Sequence, residues 1–127
     1  MAIVMVVDDE PEVRTLLETV VQKAGHEVVS AADAGDAWSR LDRNPEAIFI
    51  DIDMPGETGV EFVLRLREHP SCADVPVVFV TAYRERARPL VASGAGIVEI
   101  IDKPFRLELV SDCLEQMLEI SRQQKDA

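Results

Sequence analysis

The sequence predicts an α/β domain of five strand–helix units, (βα)5, wound around a parallel sheet with helices on both faces. Two observations carry this. Short apolar runs alternate five times with amphipathic segments, and strands that alternate with helices form parallel sheets covered on both sides. Three of the runs, 2–7, 47–50 and 75–80, hold no charged or hydrogen-bonding side chain, as central strands buried on both faces require.

The first run, "AIVMVV", ends at Asp8-Asp9, and Pro11 is placed to open a helix at its first turn. Val13, Leu16, Leu17, Val20, Val21 and Ala24 follow the helical rhythm, and Gly25 stops it. "HEVVSA" (26–31) reads as a strand polar enough for a sheet edge. Ala34, Ala37, Trp38 and Leu41 mark a second helix, with Trp38 as a packing residue. "AIFI" (47–50) is the third strand. Val60, Val63, Leu64 and Arg67 mark a third helix ending near His69-Pro70, with Phe62 also packing. "VPVVFV" (75–80) is the fourth strand and ends at Thr81-Ala82. A short helix follows over about 84–93, and Gly94 and Gly96 break it. "IVEII" (97–101) is the fifth strand, ending at Asp102-Lys103-Pro104. Leu107, Val110, Leu114, Met117 and Leu118 make the last helix. The expected domain spans 1–120, and "SRQQKDA" (121–127) reads as a frayed polar tail.

The chain of 127 residues is one domain's worth, and no apolar run reaches membrane-spanning length. The N-terminus lacks the basic region of a signal peptide, so the expected location is cytoplasmic. A net charge of −11 argues against direct contact with nucleic acid or an anionic membrane and suits a protein that collects cations. Cys72 and Cys113 lack metal-type spacing and read as free thiols. His26 and His69 read as surface residues. Arg84, Arg86 and Arg88 form a basic cluster on the fourth helix, either a solvated face or a partner-contact surface.

The chemistry gathers at the strand ends. In "IFIDIDMPGETG", Asp51 closes a buried strand, where a charge is costly unless compensated. Parallel α/β sheets bind ligands outside the carboxyl ends of their strands. Asp8 and Asp9, Asp51, Thr81 and Lys103 close four different strands, so one edge receives three carboxylates, a hydroxyl and an ammonium. Converging carboxylates repel, and a bound divalent cation relieves this. All-oxygen donors favour Mg²⁺, and the lack of His or Cys there disfavours zinc. An aspartate beside a metal and a lysine is equipped to accept a phosphoryl group as an acyl phosphate.

Four motifs together give a likeness: "VVDDE" closing the first strand, "IDIDMPGETG" with its Gly eight places after Asp51, "VTA" closing the fourth and "KPF" closing the fifth. By them the chain resembles the receiver domains of response regulators in two-component signalling, of the chemotaxis-regulator kind, over about 2–120. The resemblance implies a flavodoxin-like sheet in the order 2-1-3-4-5. It implies Asp51 as the phosphoacceptor, Asp9 as a direct Mg²⁺ ligand, Asp8 acting mostly through water, and the Asp53 carbonyl as a further metal contact. Thr81 and Lys103 would bind the phosphoryl group, Ala82 would keep the entrance small, and the Lys103–Pro104 bond would be cis. The implied partners are a histidine kinase or histidine phosphotransfer protein and a downstream protein target. The implied activity is confined to the domain's own phosphorylation and dephosphorylation. Ile100 departs from the pattern, standing where the family usually carries Tyr or Phe. One rival is a haloacid-dehalogenase-like phosphohydrolase, in which Asp51 and Asp53 would be nucleophile and general acid. Another, a flavin carrier of similar fold, would need a phosphate cradle where "DDEPE" stands.

Overall fold

A computed structural model describes residues 1–126. Five parallel strands form one sheet: β1 (Ile3–Val7), β2 (Glu27–Ala31), β3 (Ala47–Ile50), β4 (Val77–Thr81) and β5 (Ile97–Asp102), in the order β2-β1-β3-β4-β5. The helices are α1 (Pro11–Lys23), α2 (Ala34–Ser39), α3 (Gly59–Leu66), α4 (Arg84–Ala92) and α5 (Leu107–Asp126). The expected architecture and strand order are present, and the polar strand β2 lies at an edge.

Side-chain alternation divides the core in two. Met5, Val7, Ile48, Ile50, Val77 and Phe79 face α2, α3 and α4, where Ala37, Phe62, Val63, Leu66 and Leu90 meet them. Val4, Val6, Ala47, Phe49, Val78 and Val80 face α1 and α5, against Leu17, Val21, Val110, Leu114 and Met117. Each central strand is therefore apolar on both sides. Leaving one such side chain in water costs about 1.5–3 kcal/mol, which fixes the register of the strands that carry the site.

Several boundaries differ from the expected ones. β4 begins at Val77 rather than 75, since Pro76 has no N–H to give the ladder. α2 ends at Ser39, and Leu41 packs from a following 3₁₀ turn, Leu41–Arg43. Leu16 and Leu64, expected on buried faces, are exposed, as is Leu107. In α3 the buried arc is Gly59, Phe62, Val63 and Leu66, which leaves Leu64 turned outward. The expected polar tail is instead the end of α5, which continues to Asp126. Ser121 is buried, Gln124 Nε2 donates to the Asp74 carbonyl at 2.8 Å, and Lys125 pairs with Glu46 at 3.1 Å. Polar composition hid this because the contacts run to distant loops. Ala127, the last residue of that expected tail, lies outside the described residues.

Candidate phosphoryl-acceptor site

The carboxyl ends of β1, β3, β4 and β5 converge. Asp51 follows β3, and its backbone N–H donates to the Val7 carbonyl at 3.1 Å, which ties the end of β3 to that of β1. Asp8 N–H does the same toward Ala31 of β2, also at 3.1 Å. Both carboxylates are buried, and so is Thr81, whereas Asp9 and Glu10 are exposed. One carboxylate oxygen each from Asp8, Asp9, Glu10 and Asp51 lie within 4.8 Å of one another.

Lys103 reaches into this cluster from the end of β5. Its Nζ donates to Asp51 Oδ2 at 2.9 Å and to Glu10 Oε1 at 2.8 Å. It also lies 3.0 Å from Asp8 Oδ2, in a direction that makes no hydrogen bond, so that buried oxygen has an ion pair but no hydrogen-bond donor among the described residues. Burial raises the Asp8 pKa above the ordinary aspartate value. The Glu10 N–H and the nearby ammonium pull it down, and Asp51 adds to the rise. Burial by itself lowers the Lys103 pKa, but the hydrogen bonds it donates to Glu10 and Asp51, with the charge of Asp8 beside it, carry it above the ordinary lysine value. The ammonium is therefore charged at any physiological pH.

The other expected residues fall around this centre. Thr81 Oγ1 accepts from the Tyr83 N–H at 3.1 Å, and the Thr81 carbonyl accepts from the Lys103 N–H at 3.1 Å. The Asp53 N–H points to Asp51 Oδ1 at 3.3 Å. The Asp53 side chain turns away toward Arg86, 4.0 Å off, and is mostly exposed. That orientation leaves no second acid of the Asp-x-Asp kind beside Asp51, contrary to the phosphohydrolase reading. The Lys103–Pro104 bond is cis. Ile100 of β5 is buried in the same core as Ala87 and Leu90 of α4, and Arg84 Nη2 donates to its carbonyl at 2.9 Å. Two contributors were not assigned a role from the sequence. Glu10 lay in plain view, directly after the acid pair. Arg14, whose Nη1 donates to the Asp8 carbonyl at 2.6 Å, carries no sequence signal beyond its place on the first turn of α1.

The donor set fits a hard divalent cation: it is all carboxylate oxygen, and one buried Asp8 oxygen accepts no hydrogen bond. Among the described residues no helix is long and apolar enough to cross a membrane.

Comparison with known proteins agrees with this geometry. The family model described as "Response regulator receiver domain" matches residues 4–115. The chain is 31% identical over 117 residues to a chemotaxis protein CheY homolog of Campylobacter jejuni, covering 90% of each chain. The structure of chemotaxis response regulator CheY4 of Vibrio cholerae superimposes with a TM-score of 0.82 at 29% identity, covering 93% of this chain and 99% of that one. NtrX of Brucella abortus gives a TM-score of 0.85 at 28% identity, but 98% of this chain spans only 29% of that longer one. On fold, site geometry and family match together, this chain belongs to the response regulator receiver domain family.

Proposed function

We propose that Asp51 accepts a phosphoryl group from a histidine kinase or a histidine phosphotransfer protein, with Mg²⁺ as cofactor, and that the phosphorylated domain presents an altered surface to a downstream protein target. The observation that carries this reading is a buried carboxylate at a strand end, 2.9 Å from an ammonium and inside a group of carboxylates with room for a cation.

Asp8, Asp9, Asp51 and the Asp53 carbonyl are the residues that would hold Mg²⁺. When bound, Mg²⁺ supplies positive charge to offset that of the transferring phosphoryl oxygens. An Asp51 oxygen attacks phosphorus, the P–N bond to the donor imidazole breaks, and that nitrogen leaves with the electron pair and is protonated. An acyl phosphate results. Lys103 shifts from the Asp51 carboxylate to a phosphoryl oxygen. The Thr81 hydroxyl, now accepting from Tyr83 N–H, becomes a donor to another phosphoryl oxygen. Water later cleaves the acyl phosphate and restores Asp51. The domain promotes only these two steps on itself.

Incubation with Mg²⁺ and a small phosphodonor is expected to add one acid-labile phosphate, visible as a mass increase, and Asp51→Asn is expected to abolish it. Undiminished labelling of that variant would overturn the assignment.

A further inference from the structure

Glu10 stands at the N-cap of α1, yet its side chain caps nothing. Glutamate is not among the favoured N-cap residues, and no N–H of the first turn of α1 bonds to its carboxylate. Local helix chemistry therefore does not explain this side chain. Its carboxylate instead takes a hydrogen bond from Lys103, a residue 93 positions away in the chain.

Lys103 is held by oxygens that a cation would also need. Asp8 Oδ2 and Asp51 Oδ2 lie 3.0 and 2.9 Å from its Nζ. A dication and an ammonium sharing those oxygens would repel one another strongly in so buried a place. Of the three acids around Lys103, Asp8 and Asp51 are the buried ones. Glu10, with a side-chain exposure of 58%, lies at the rim.

We propose that Glu10 is a positioning residue for Lys103: its carboxylate holds the ammonium at the rim of the site when a divalent cation takes the oxygens of Asp8 and Asp51. Lys103 then stays charged, partnered and within reach of an arriving phosphoryl group. The inference rests on the phosphoacceptor reading of the same site, and its test is separable from that reading.

Binding of Mg²⁺ alone, with no phosphodonor, is measured by calorimetry at low ionic strength in four proteins: the unaltered chain, Glu10→Gln, Lys103→Met and the double variant. With Lys103 present, Glu10→Gln is expected to weaken Mg²⁺ binding by roughly three- to tenfold, because the ammonium then remains on Asp8 and Asp51 as a competitor. With Lys103→Met the same change is expected to have little effect, since no ammonium remains to be moved. A merely structural role would give no such dependence on Lys103. An equal loss of affinity in both backgrounds would make Glu10 a direct ligand or a general source of charge, and would overturn the proposal, as would no loss in either. Failure of the unaltered chain to bind Mg²⁺ would overturn the metal reading itself and this proposal with it. Failure of Asp51 to take up phosphate, with the four affinities as expected, would overturn only the phosphoacceptor reading.

Discussion

Asp8 shows what the site costs its own fold. The side chain has no exposed surface, and one carboxylate oxygen accepts no hydrogen bond. Its folded-state pKa is raised above the unfolded value, chiefly by burial, so the native state holds the Asp8 proton more tightly than the unfolded chain does. The sign follows from linkage: stability from this group is present below the unfolded pKa and is lost as pH rises through the raised one. Ionising Asp8 therefore weakens the fold, and a cation bound at the site would offset that loss. Mg²⁺ at ten times its dissociation constant is expected to add about 1.4 kcal/mol. The gain should shrink as pH falls into the range where Asp8 takes up its proton. Asp8→Asn is expected to melt higher than the unaltered protein without metal and to lose most of the Mg²⁺ gain. Thermal melts with and without Mg²⁺ across pH check all three outcomes. A midpoint unmoved by millimolar Mg²⁺ would count against cation binding at Asp8.

Between elements, the entry of α3 against the end of β3 is the tightest approach near the site. A Cβ on Gly59 would lie 2.1 Å from the Asp51 backbone carbonyl oxygen, and Gly59 N–H donates to the Ile52 carbonyl at 2.9 Å. The Thr58–Glu61 capping box fixes where the helix starts, so Gly59 cannot slide away. The Gly eight places after Asp51, part of the sequence motif, thus has a steric reason: the helix must pass directly over the backbone of Asp51, the proposed acceptor. On an open helix Gly→Ala would stabilise by about 1 kcal/mol. Here Gly59→Ala is expected to destabilise by about 1–3 kcal/mol, the usual range for overpacking, because the neighbour is backbone and cannot rotate aside. Urea denaturation measures this. Phosphate uptake at Asp51 is expected to fall as well, since the atom displaced belongs to the proposed acceptor. A stabilised variant would show that α3 can shift without disturbing β3.

Across the whole molecule, most of the fold and the centre of the site were legible because both are written in short-range patterns. Apolar runs gave the strands, and the residue ending each run gave Asp8, Asp9, Asp51, Thr81 and Lys103. The pairing of Glu10 with Lys103 and the length of α5 were not legible, since those contacts join segments far apart in the chain. Arg67 belongs with them. Periodicity counted it with Val60, Val63 and Leu64 in the third helix. The structure has it just past the helix, where Nε donates to the Ala95 carbonyl at 2.5 Å, Nη1 to Ala73 at 3.1 Å and Nη2 to Gly96 at 3.3 Å. One guanidinium thus ties the loop before β4 to the loop before β5. It also gives the two glycines of "SGAG" different surroundings. Gly94, at φ 74°, ends α4 in the left-handed region. Gly96 lies at φ 77°, and a Cβ there would also lie 2.9 Å from Arg67 Nη2 and push on the guanidinium. Burial lowers the Arg67 pKa below the ordinary arginine value, though Asp74 opposes the change, so the group depends on its carbonyl partners. Arg67→Met keeps the aliphatic packing and strands the carbonyls, and is expected to cost about 2–4 kcal/mol in urea denaturation, from the charged hydrogen bonds it removes. Arg67→Lys should restore little of this, because one ammonium cannot match a planar fork spread over three carbonyls. Mg²⁺ affinity should stay unchanged in both variants, since Arg67 and its carbonyl partners lie at the ends where β4 and β5 begin, opposite the edge where the acids gather. Full rescue by lysine would reduce Arg67 to a simple charge rather than a three-way tie.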